Sequence, residues 1–391
     1  MPSPPSPPSW RNSDLVNVRI AVDATSLIGH RTGIGGVTRT YLHRLTRPNF
    51  EISAFAVSRR GAGPMLDELP PRVEAHRRPM VARPLRSLWR RGPWPPIEWW
   101  TGAIDLVWGP NYVVPPAKNA ARVVMVHDLT AVHFPEMCTR DVQQMPSLLR
   151  REILDGAWIN TPSQAVADDV IETLQVDPQR VRAIHLGGPE QIGDATRLER
   201  AERGRVFAGV DEYLLSLGTI EPRKDIPSLV RAFNVIAPQR PNLHLVIAGP
   251  DGWGVDAVRD VINASPYRSR IRRTGWLTDA DRDDLLAGTE AFVYPSLLEG
   301  FGIPPLEAMA AGVPVIATRT GSLPEVLSTA AQWAEPGDID TLVAAIETVL
   351  DDPDVARSLV TAGDKRLKHF SWDRSTDELV ALFELACAAR A

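Results

Sequence analysis

The stretch that decides the fold runs Tyr294-Pro-Ser-Leu-Leu-Glu299-Gly-Phe-Gly302-Ile-Pro-Pro-Leu-Glu307-Ala-Met-Ala-Ala-Gly312. The apolar residues before it predict a strand ending near Tyr294, and Pro304 is tolerated in the first turn of a helix that follows the glycine loop. No Ser, Thr, Asp or Asn stands at the cap position, so the N–H groups of Gly302 and Ile303 are left for another partner. An anionic phosphate beyond the carboxyl end of a parallel strand is the natural one.

Two carboxylates, Glu299 and Glu307, bracket this loop with seven residues between them. The spacing lets one carboxylate face a sugar while the other reaches a ribose diol, on either side of a diphosphate. Taken singly, each favours a structural explanation: a solvated carboxylate for Glu299, and a place in the first helical turn for Glu307. The complete string favours a functional site.

A second segment, Ser216-Leu-Gly218-Thr219-Ile-Glu221-Pro-Arg223-Lys224-Asp225, also follows a predicted strand and opens a helix that Asp225 caps. Adjacent cations at the carboxyl end of a strand can cradle a diphosphate, Arg through its planar fork and Lys as a point charge. They act where the departing pyrophosphate gains charge. Without the other segments, Arg223 and Lys224 would be interpreted as an ordinary pair of basic surface residues.

Two further segments fit the same site less specifically. Gly29, Gly33, Gly35 and Gly36 follow the strand Val18–Asp23, but they lack the spacing of a dinucleotide fingerprint. They form either a flexible loop that approaches a ligand or a plain strand-to-helix turn. His127 follows an apolar strand, where a donor sugar or an acceptor hydroxyl can lie, although lone histidines are more often structural.

Apolar runs alternate with amphipathic segments along the chain, which is typical of βαβ units and parallel sheets. Helices are predicted from about Val37 to Leu45, over Asp338–Leu350 and after Ser371. An irregular excursion is predicted between Pro70 and Trp100, and an interdomain connection from His185. The predicted strands are Val18–Asp23, Ile52–Val57, Leu106–Trp108, Ala121–Val126, Trp158–Thr161, Val181–Ile184, Tyr213–Gly218, Leu243–Ala248, Arg270–Thr274, Ala291–Tyr294 and Val313–Ala317.

Composition limits the class of protein. A chain of 391 residues with 44% hydrophobic residues is expected to form two globular α/β domains. The net charge of −5 gives no reason to expect nucleic acid as a partner. The two cysteines, Cys138 and Cys387, lie far apart, so a reducing cytoplasm is expected. The Pro/Ser-rich start predicts a disordered tail rather than a signal peptide, and no apolar run is long enough to span a bilayer.

The motifs resemble those of retaining GT-B glycosyltransferases, especially family four and its mannosyltransferases. The resemblance runs from Val18 onward through "VHDL", "TPSQ", "SLGTIEPRKD", "EGFGIPPLEAMAAGVPVIAT", "GSLPEV" and "FSWDRS". It implies an α/β fold of the GT-B class, with two Rossmann-like domains facing a cleft. The implied division is a tail at 1–16, an acceptor-side domain at 17–187, a nucleotide-sugar-binding domain at 194–370, and a helix at 371–391 that crosses back to the first domain.

The resemblance also assigns roles to residues. Arg223 and Lys224 would hold the diphosphate near Gly218, and Glu307 would hold the ribose. Glu299 would hold the sugar, with His127 beside it. The remaining donor-binding positions implied by the resemblance are Gly33, Gly35, Gly36, Gly275, Trp276, Leu277, Gly300, Phe301, Gly302 and Ile303.

The expected reaction is transfer of a hexose, with GDP-mannose the favoured donor and UDP-hexoses next, to a hydroxyl of a glycan or lipid-linked acceptor. Side-chain cations are expected to do the work of a metal, with no Asp-x-Asp flanking the cleft segments, so neither a metal nor a cofactor is expected. The resemblance suggests front-face attack with retention. A GT-B-fold sugar-nucleotide epimerase and a non-catalytic partner of a membrane glycosyltransferase remain alternatives; a phosphorylase has no support in the sequence.

Residues 76–100 combine six arginines with four tryptophans, and no acid precedes Glu98. Arginines attract anionic headgroups, and tryptophans favour the boundary between water and hydrocarbon. This arm therefore predicts peripheral binding at the inner face of the plasma membrane. An ordinary loop whose tryptophans pack on the domain explains the pattern nearly as well, and nucleic acid is disfavoured by the overall acidity.

Overall fold

The computed structural model describes residues 18–29, 33–61 and 63–390, so the predicted tail at 1–16 lies outside the described residues. The structure is mixed α/β, with helices between most of the strands. The strands are β1 Val18–Asp23, β2 Phe50–Phe55, β3 Glu74–Ala75, β4 Leu106–Gly109, β5 Ala121–Met125, β6 Trp158–Thr161, β7 Val181–Ala183, β8 Tyr213–Leu217, β9 His244–Ala248, β10 Ile271–Gly275, β11 Ala291–Tyr294, β12 Val315–Thr318 and β13 Ala331–Ala334. The helices are α1 Gly33–Leu45, α2 Ala82–Arg91, α3 Glu98–Thr101, α4 Thr130–His133, α5 Met145–Leu154, α6 Gln164–Leu174, α7 Asp194–Ala208, α8 Ile226–Ile236, α9 Val255–Ala264, α10 Asp279–Gly288, α11 Ile303–Ala310, α12 Leu323–Leu327, α13 Ile339–Asp351, α14 Pro353–Leu367 and α15 Trp372–Ala388.

The strands form two sheets with the same winding. One has seven strands in the order β3-β2-β1-β4-β5-β6-β7, and the other has six in the order β10-β9-β8-β11-β12-β13. Paired strands run parallel, as in β8 with β9 and β8 with β11. In each sheet the first strand lies in the middle and the chain winds outward to both sides, which is the doubly wound Rossmann order. The predicted parallel α/β class is confirmed.

The central strands of the six-stranded sheet are mainly apolar and are buried on both faces, whereas the edge strand β10 is partly exposed. Every residue of β8, β11 and β12 is buried. Helices α8 and α13 cover one face, where Phe233 and Ile346 pack with the strand residues Leu245 and Val293. Burial on both faces explains why these strands are continuous apolar runs rather than alternating ones.

Packing divides the described residues into two compact units. The first unit takes those within Met1–Pro110, Val114–Val123 and Leu385–Ala391, and the second takes Asn111–Val113 and Val124–Glu384. The domain boundaries expected from the sequence stay a prediction.

The first predicted helix begins earlier than expected. We predicted a glycine-rich turn up to Gly36 and a helix from about Val37, but α1 begins at Gly33. Gly33, Gly35 and Gly36 are therefore helical residues rather than loop residues. Hydrogen bonds hold this helix start, since Thr38 Oγ1 donates to Ile34 O and accepts from Ser26 Oγ. Glycine costs about 1 kcal/mol in a helix relative to alanine, and packing offsets that cost.

The prediction of an irregular excursion between Pro70 and Trp100 was wrong in part. Helix α2 lies in it, and Pro84 stands in the first turn, where proline is tolerated. Leu85 and Trp89, spaced four residues apart, are the buried residues of this helix. The sequence did not predict this helix because its two buried residues stand among prolines and arginines.

Other predicted elements match closely. β1, β6 and β11 agree with the prediction residue for residue, and Asp225 accepts a hydrogen bond from Ser228 N at the start of α8. Two elements were not predicted. Residues 197–203, which are rich in charge, lie within helix α7, and β13 was missed as well. Helix α7 was missed because its apolar residues are few, and β13 because it is short.

Candidate active site

Arg223, Lys224 and Glu299 meet because β8 and β11 are neighbouring parallel strands. Arg223 and Lys224 follow β8, and Glu299 follows β11. The chain leaves β8 toward β9 on one side and leaves β11 toward β12 on the other, so the winding direction reverses between them. Open parallel sheets bind ligands at this point, outside the carboxyl ends of the strands.

The three side chains form a buried ion cluster in the second unit. Glu299 Oε1 lies 2.9 Å from Arg223 Nη1 and 2.5 Å from Lys224 Nζ. The side chains of Glu299 and Lys224 are 7% and 10% exposed, and that of Arg223 is 21% exposed. The residues that the sequence assigned to sugar and diphosphate are therefore direct partners of each other.

Burial and charge fix the protonation of this cluster. Burial by itself would raise the pKa of Glu299, but the positive charges of Arg223 and Lys224 outweigh it and lower that pKa to about 2. Burial lowers the pKa of Lys224, and the neighbouring Arg223 acts in the same direction. Burial also works to lower the pKa of Arg223, yet the charges of Glu299 and Glu221 raise it above its ordinary value. At neutral pH the cluster holds an anionic Glu299 beside a cationic Arg223.

Two further side chains belong to the cluster and were not singled out from the sequence. Glu221 Oε2 accepts a hydrogen bond from Arg223 Nε at 2.9 Å, and burial raises the pKa of Glu221. Tyr294 Oη accepts a hydrogen bond from Lys224 Nζ, which also lies 4.5 Å from the centroid of the Tyr294 ring. Glu221 stands within the quoted "SLGTIEPRKD" segment, and Tyr294 is the last residue of β11, so their positions at strand ends were the available signal.

The loop that carries Glu299 is supported by the segment after β12. Thr320 Oγ1 donates to Leu297 O at 2.8 Å, and Ser322 N and Oγ both donate to Glu299 O, at 3.0 and 3.1 Å. Gly321 has φ +50°, and a Cβ there would lie 2.3 Å from Glu299 O, so no larger residue fits. These contacts hold the backbone of Glu299 in place, and the ion pairs hold its side chain.

Helix α11 begins without a side-chain cap, as the sequence predicted. Its N-cap is Gly302, with φ +94°, and no side chain accepts from the first turn. Gly302 lies close to Leu323, since a Cβ on it would be 2.7 Å from Leu323 Cδ2. The positive end of the helix is thus set beside the ion cluster's loop, where an anionic group is stabilised.

Glu307 has a different partner from the one the sequence suggested. Its carboxylate Oε1 lies 3.6 Å from Arg282 Nη1, and its side chain is 19% exposed. Burial raises the pKa of Glu307, and Arg282 opposes that effect. Arg282 was not identified from the sequence, because it stands in a run of charges, Asp279-Ala-Asp-Arg-Asp-Asp, that is typical of a solvated helix.

The prediction that no Asp-x-Asp flanks the cleft segments was wrong, since Asp279-Ala-Asp281 in this run follows Leu277 of a predicted donor segment. Asp279 and Asp281 lie in the first turn of α10, and Thr278 Oγ1 caps that helix by accepting from Asp281 N. Arg282 pairs with Asp279 at 3.1 Å. The acidic residues therefore serve the start of a helix, where negative charge is favourable.

The remaining donor-binding predictions lie at strand ends of the same sheet. Gly218 follows β8, and a Cβ on it would lie 3.6 Å from Lys224 Cε. Gly275 ends β10, accepts a hydrogen bond from Gly249 N at 2.9 Å, and precedes Trp276, which is 48% exposed. Since β9 separates β10 from β8, the ends of β10 and β8 lie about 10 Å apart along the sheet edge. That separation suits the two ends of one nucleotide.

His127 touches the glutamate loop through its backbone. A Cβ on Gly300 would lie 1.6 Å from His127 O, so only glycine allows this approach, and Gly300 O accepts from Ser163 Oγ at 2.9 Å. The ring of His127 lies 5.7 Å from that of Tyr112. The predicted role of His127 beside the donor sugar stays a prediction.

A cavity of about 550 Å³ adjoins Glu299 within the second unit. Asp128, which follows His127, lines it, and its charge contributes to the raised pKa of Arg223. His133 also lines it and is paired with Asp169 at 2.8 Å. The cavity is large enough for a small-molecule substrate and presents hydroxyl-binding carboxylates.

Gly33, Gly35 and Gly36 belong to the first unit, whereas the contacts described above belong to the second. Their predicted role in closing over a donor stays a prediction.

Comparison with known proteins identifies the family. Residues 199–366 match the family model described as Glycosyl transferases group 1, a stretch that includes Arg223, Lys224, Glu299 and Glu307. The O-antigen chain mannosyltransferase B of Escherichia coli is 31% identical over 281 residues, which cover 71% of this chain and 73% of that protein. The chain belongs to the glycosyl transferases group 1 family. A second relative, the MMP alpha-(1->4)-mannosyltransferase of Mycolicibacterium hassiacum, is 30% identical over 262 residues, covering 65% of this chain and 58% of that protein.

Solved structures show the same fold at low sequence identity. The sucrose-phosphate synthase of Thermosynechococcus elongatus aligns with a TM-score of 0.76 at 18% identity, covering 95% of this chain and all of that one. Anabaena Alr3699/HepE, solved in complex with UDP and glucose, aligns with a TM-score of 0.70 at 16% identity, covering 93% and 98%. With the two Rossmann-like parallel sheets, these neighbours confirm the GT-B fold for this group 1 glycosyltransferase.

Among residues 18–29, 33–61 and 63–390, no three His, Cys, Asp or Glu side chains gather where they would hold a metal ion. Within the same ranges, no helix combines the length and the apolar character needed to cross a bilayer. Independence from metals remains a prediction for this group 1 enzyme.

Proposed function

We propose that this glycosyltransferase transfers a hexose, mannose in the first place, from a nucleoside-diphosphate sugar to a hydroxyl of a glycan or lipid-linked acceptor, with retention at the anomeric carbon. The observation that carries the proposal is the Arg223–Lys224–Glu299 cluster at the reversal point between β8 and β11. It joins two cations and a hydroxyl-binding carboxylate beside an uncapped helix start.

The diphosphate would bind to Arg223, Lys224 and the first N–H groups of α11. Arg223 is anchored by Glu221 and Glu299, so its fork is held in place before a ligand arrives. Preorganised cations stabilise the negative charge that grows on the leaving diphosphate without further rearrangement. They supply the neutralisation that a metal ion supplies in other transferases, so the proposal includes neither a metal nor a cofactor.

The carboxylates would bind the two hydroxyl-rich ends of the donor. Glu299, an anion at neutral pH because its pKa is about 2, accepts hydrogen bonds from the sugar. Glu307 binds the ribose, and Gly275 to Leu277 lie near the base. In the transfer step the acceptor oxygen bonds to the anomeric carbon as the bond from that carbon to the phosphate oxygen breaks. The acceptor proton passes to the departing phosphate oxygen, and His127 helps to orient the sugar.

The names of relatives favour a mannosyl donor. The first two relatives described above are called mannosyltransferases, one of O-antigen chains. GDP-mannose is accordingly the first candidate. UDP-hexoses come second, because the Anabaena neighbour was solved with UDP and glucose.

A donor panel tests the proposal. The protein is incubated with GDP-mannose, UDP-glucose, UDP-galactose or UDP-N-acetylglucosamine, with and without a lipid-linked glycan acceptor, and products are analysed by mass spectrometry and NMR. Transfer that requires acceptor, with the donor's anomeric configuration retained, supports the proposal. Isomerised sugar-nucleotide without acceptor would indicate an epimerase, and no turnover with any donor would favour a non-catalytic partner.

Thermal unfolding separates the nucleotides. A ligand at a hundredfold excess over its dissociation constant stabilises the folded state by about 3 kcal/mol. We expect GDP to raise the melting temperature more than UDP. A rise with UDP and none with GDP would exclude mannose as the preferred donor and leave the transferase assignment in place.

A further inference from the structure

The first unit presents a surface of arginines and tryptophans that the proposed reaction does not use. We call it the basic–aromatic surface. It consists of the exposed residues Arg77, Arg78, Arg83, Arg90, Arg91, Trp94 and Trp99. Trp94 and Trp99 are 55% and 54% exposed, and their rings pack edge to face with centroids 5.3 Å apart.

Helix α2 sorts its side chains by face. Leu85 and Trp89 are buried and point into the first unit, and Trp89 Nε1 donates to Pro95 O at 3.1 Å. At 100° per residue, Arg83, Arg90 and Arg91 lie on the opposite side of the helix from this pair. Their charges are therefore turned away from the unit's core and toward solvent.

The single acidic residue of the segment does not neutralise these charges. Glu98 is half-buried, and its Oε1 accepts from Lys118 N at 2.8 Å and from Asn119 N at 2.9 Å. Its carboxylate is thus occupied with backbone N–H groups elsewhere in the unit. The arginines therefore dominate the charge of residues 76–100, six of them against one carboxylate.

The tryptophans are held at the surface rather than buried. Arg78 Nη1 donates to Trp99 O at 2.9 Å, and Trp100 Nε1 donates to Pro79 O at 3.1 Å. These bonds fix the backbone around Trp99 while its indole stays exposed. Buried Trp89 fits the expectation of an ordinary packed loop, but Trp94 and Trp99 do not, since two adjacent exposed indoles expose apolar area with no benefit to folding.

Arg86 has a separate role from its neighbours. It is half-buried, and its charge lowers the pKa of Asp23, which burial raises overall. Asp23 ends β1 and accepts from Thr25 N at 2.9 Å. Because Arg86 is half-buried and its charge acts on a residue of the core sheet, a test of the basic–aromatic surface should leave it intact.

We propose that the basic–aromatic surface docks the protein on an anionic lipid bilayer, with Arg77, Arg78, Arg83, Arg90 and Arg91 against the headgroups and Trp94 and Trp99 at the level of the headgroup–acyl boundary. Arginine fits phosphate headgroups through its fork, and indole rings prefer this boundary. The binding is peripheral and reversible, because it depends on charge and on two side chains rather than on a spanning helix.

Charge complementarity favours a lipid surface over nucleic acid. The whole chain carries a net charge of −5, so long-range attraction to an extended polyanion is weak. A planar bilayer meets only the local cluster, and each basic residue near an anionic surface adds to the attraction. The exposed pair of indoles supplies an apolar component that a phosphate backbone does not need.

Vesicle sedimentation tests the proposal with the full chain. Wild type is compared with Arg83→Glu/Arg90→Glu/Arg91→Glu, with the milder Arg83→Gln/Arg90→Gln/Arg91→Gln, and with Trp94→Ala/Trp99→Ala. The matched control changes three exposed cations of the second unit, Arg268→Glu/Arg357→Glu/Lys368→Glu, which alters the net charge equally. Vesicles contain phosphatidylcholine alone or equal parts of phosphatidylcholine and phosphatidylglycerol, and circular dichroism verifies folding.

We expect wild type and the matched control to bind the phosphatidylglycerol vesicles at low salt and neither to bind phosphatidylcholine alone. The charge reversal should weaken partitioning about a hundredfold or more. The tryptophan variant should weaken it less and should lose quenching by brominated acyl chains. Equal binding by wild type and the glutamine variant, equal loss in the matched control, or tighter binding to duplex DNA than to the vesicles would overturn the proposal.

Discussion

Replacing Glu299 with glutamine removes one negative charge from the ion cluster while keeping nearly the same volume. The side chain is buried, and its Oε1 is the shared partner of Arg223 and Lys224. Both cations would remain buried, with Glu221 as the carboxylate still paired to Arg223. Removing one member of a buried ion cluster is costly because it leaves uncompensated charge.

The size of the effect follows from the pKa of Glu299. A decrease from 4.5 to about 2, at about 1.4 kcal/mol per unit, corresponds to about 3 to 4 kcal/mol of folding free energy. The glutamine oxygen still accepts a hydrogen bond, so this is an upper value for the variant. Because the pKa is lower in the folded state than in the unfolded state, the contribution is complete above about pH 5 and is lost as the pH falls toward 2.

Urea unfolding of wild type and Glu299→Gln, followed by fluorescence at pH 7 and at pH 3, measures this contribution. We expect the variant to be less stable by up to about 3 to 4 kcal/mol at pH 7 and the difference to shrink at pH 3. Glu202→Gln, at an exposed position of α7, is the matched control and should change neither value. Equal stability of Glu299→Gln and wild type at pH 7, or a difference independent of pH, would refute the reasoning.

The same variant reports on catalysis. A carboxylate that binds the sugar stabilises the transition state most, because positive charge develops on the sugar there. We therefore expect kcat to fall by about a hundredfold, with a smaller change in KM. Measuring the rate at saturating donor separates the loss of stability from the loss of turnover, since bound donor restores the folded population of the variant. A change confined to KM would contradict the catalytic role of Glu299.

Other changes have equally specific outcomes. Tyr294→Phe removes the hydroxyl that Lys224 Nζ contacts, and we expect nucleoside diphosphate to bind about tenfold more weakly by calorimetry; unchanged affinity would show that Lys224 is positioned without it. Glu307→Gln should weaken GDP binding while leaving inorganic pyrophosphate binding unchanged, because Glu307 is assigned to the ribose; an equal loss for both ligands would place its effect on the phosphate site. A chelator should leave the transfer rate unchanged, since Arg223 and Lys224 take the place of a metal; activity lost with chelator and regained with manganese or magnesium would contradict this.

The sequence by itself determined the local structure of the site. Continuous apolar runs predicted parallel strands buried on both faces, and β11 was placed residue for residue. The missing cap residue before Pro304 predicted an open helix start, which α11 has at Gly302. These predictions succeed because capping, glycine conformation and the apolar pattern of a strand depend on neighbours in the chain.

Helix α2 is an element for which the spacing of apolar residues was ambiguous. Its two buried residues, Leu85 and Trp89, stand among prolines and arginines, so their spacing alone did not predict a helix. The glycines of α1 were likewise assigned to a loop from their intrinsic preference, which tertiary packing overrides. Propensity describes an isolated segment, and the energy of packing that segment against others is larger.

Only the tertiary structure decided which functional residues are partners. Glu299 is paired with Arg223 and Lys224 because β8 and β11 are adjacent strands. Along the chain, Lys224 and Glu299 are 75 residues apart. Glu307 is paired with Arg282 from another helix rather than with Arg223 or Lys224. The sequence shows which charges lie at strand ends, but strand order sets which ends are neighbours, and Coulomb energy depends on that distance in space rather than on separation along the chain.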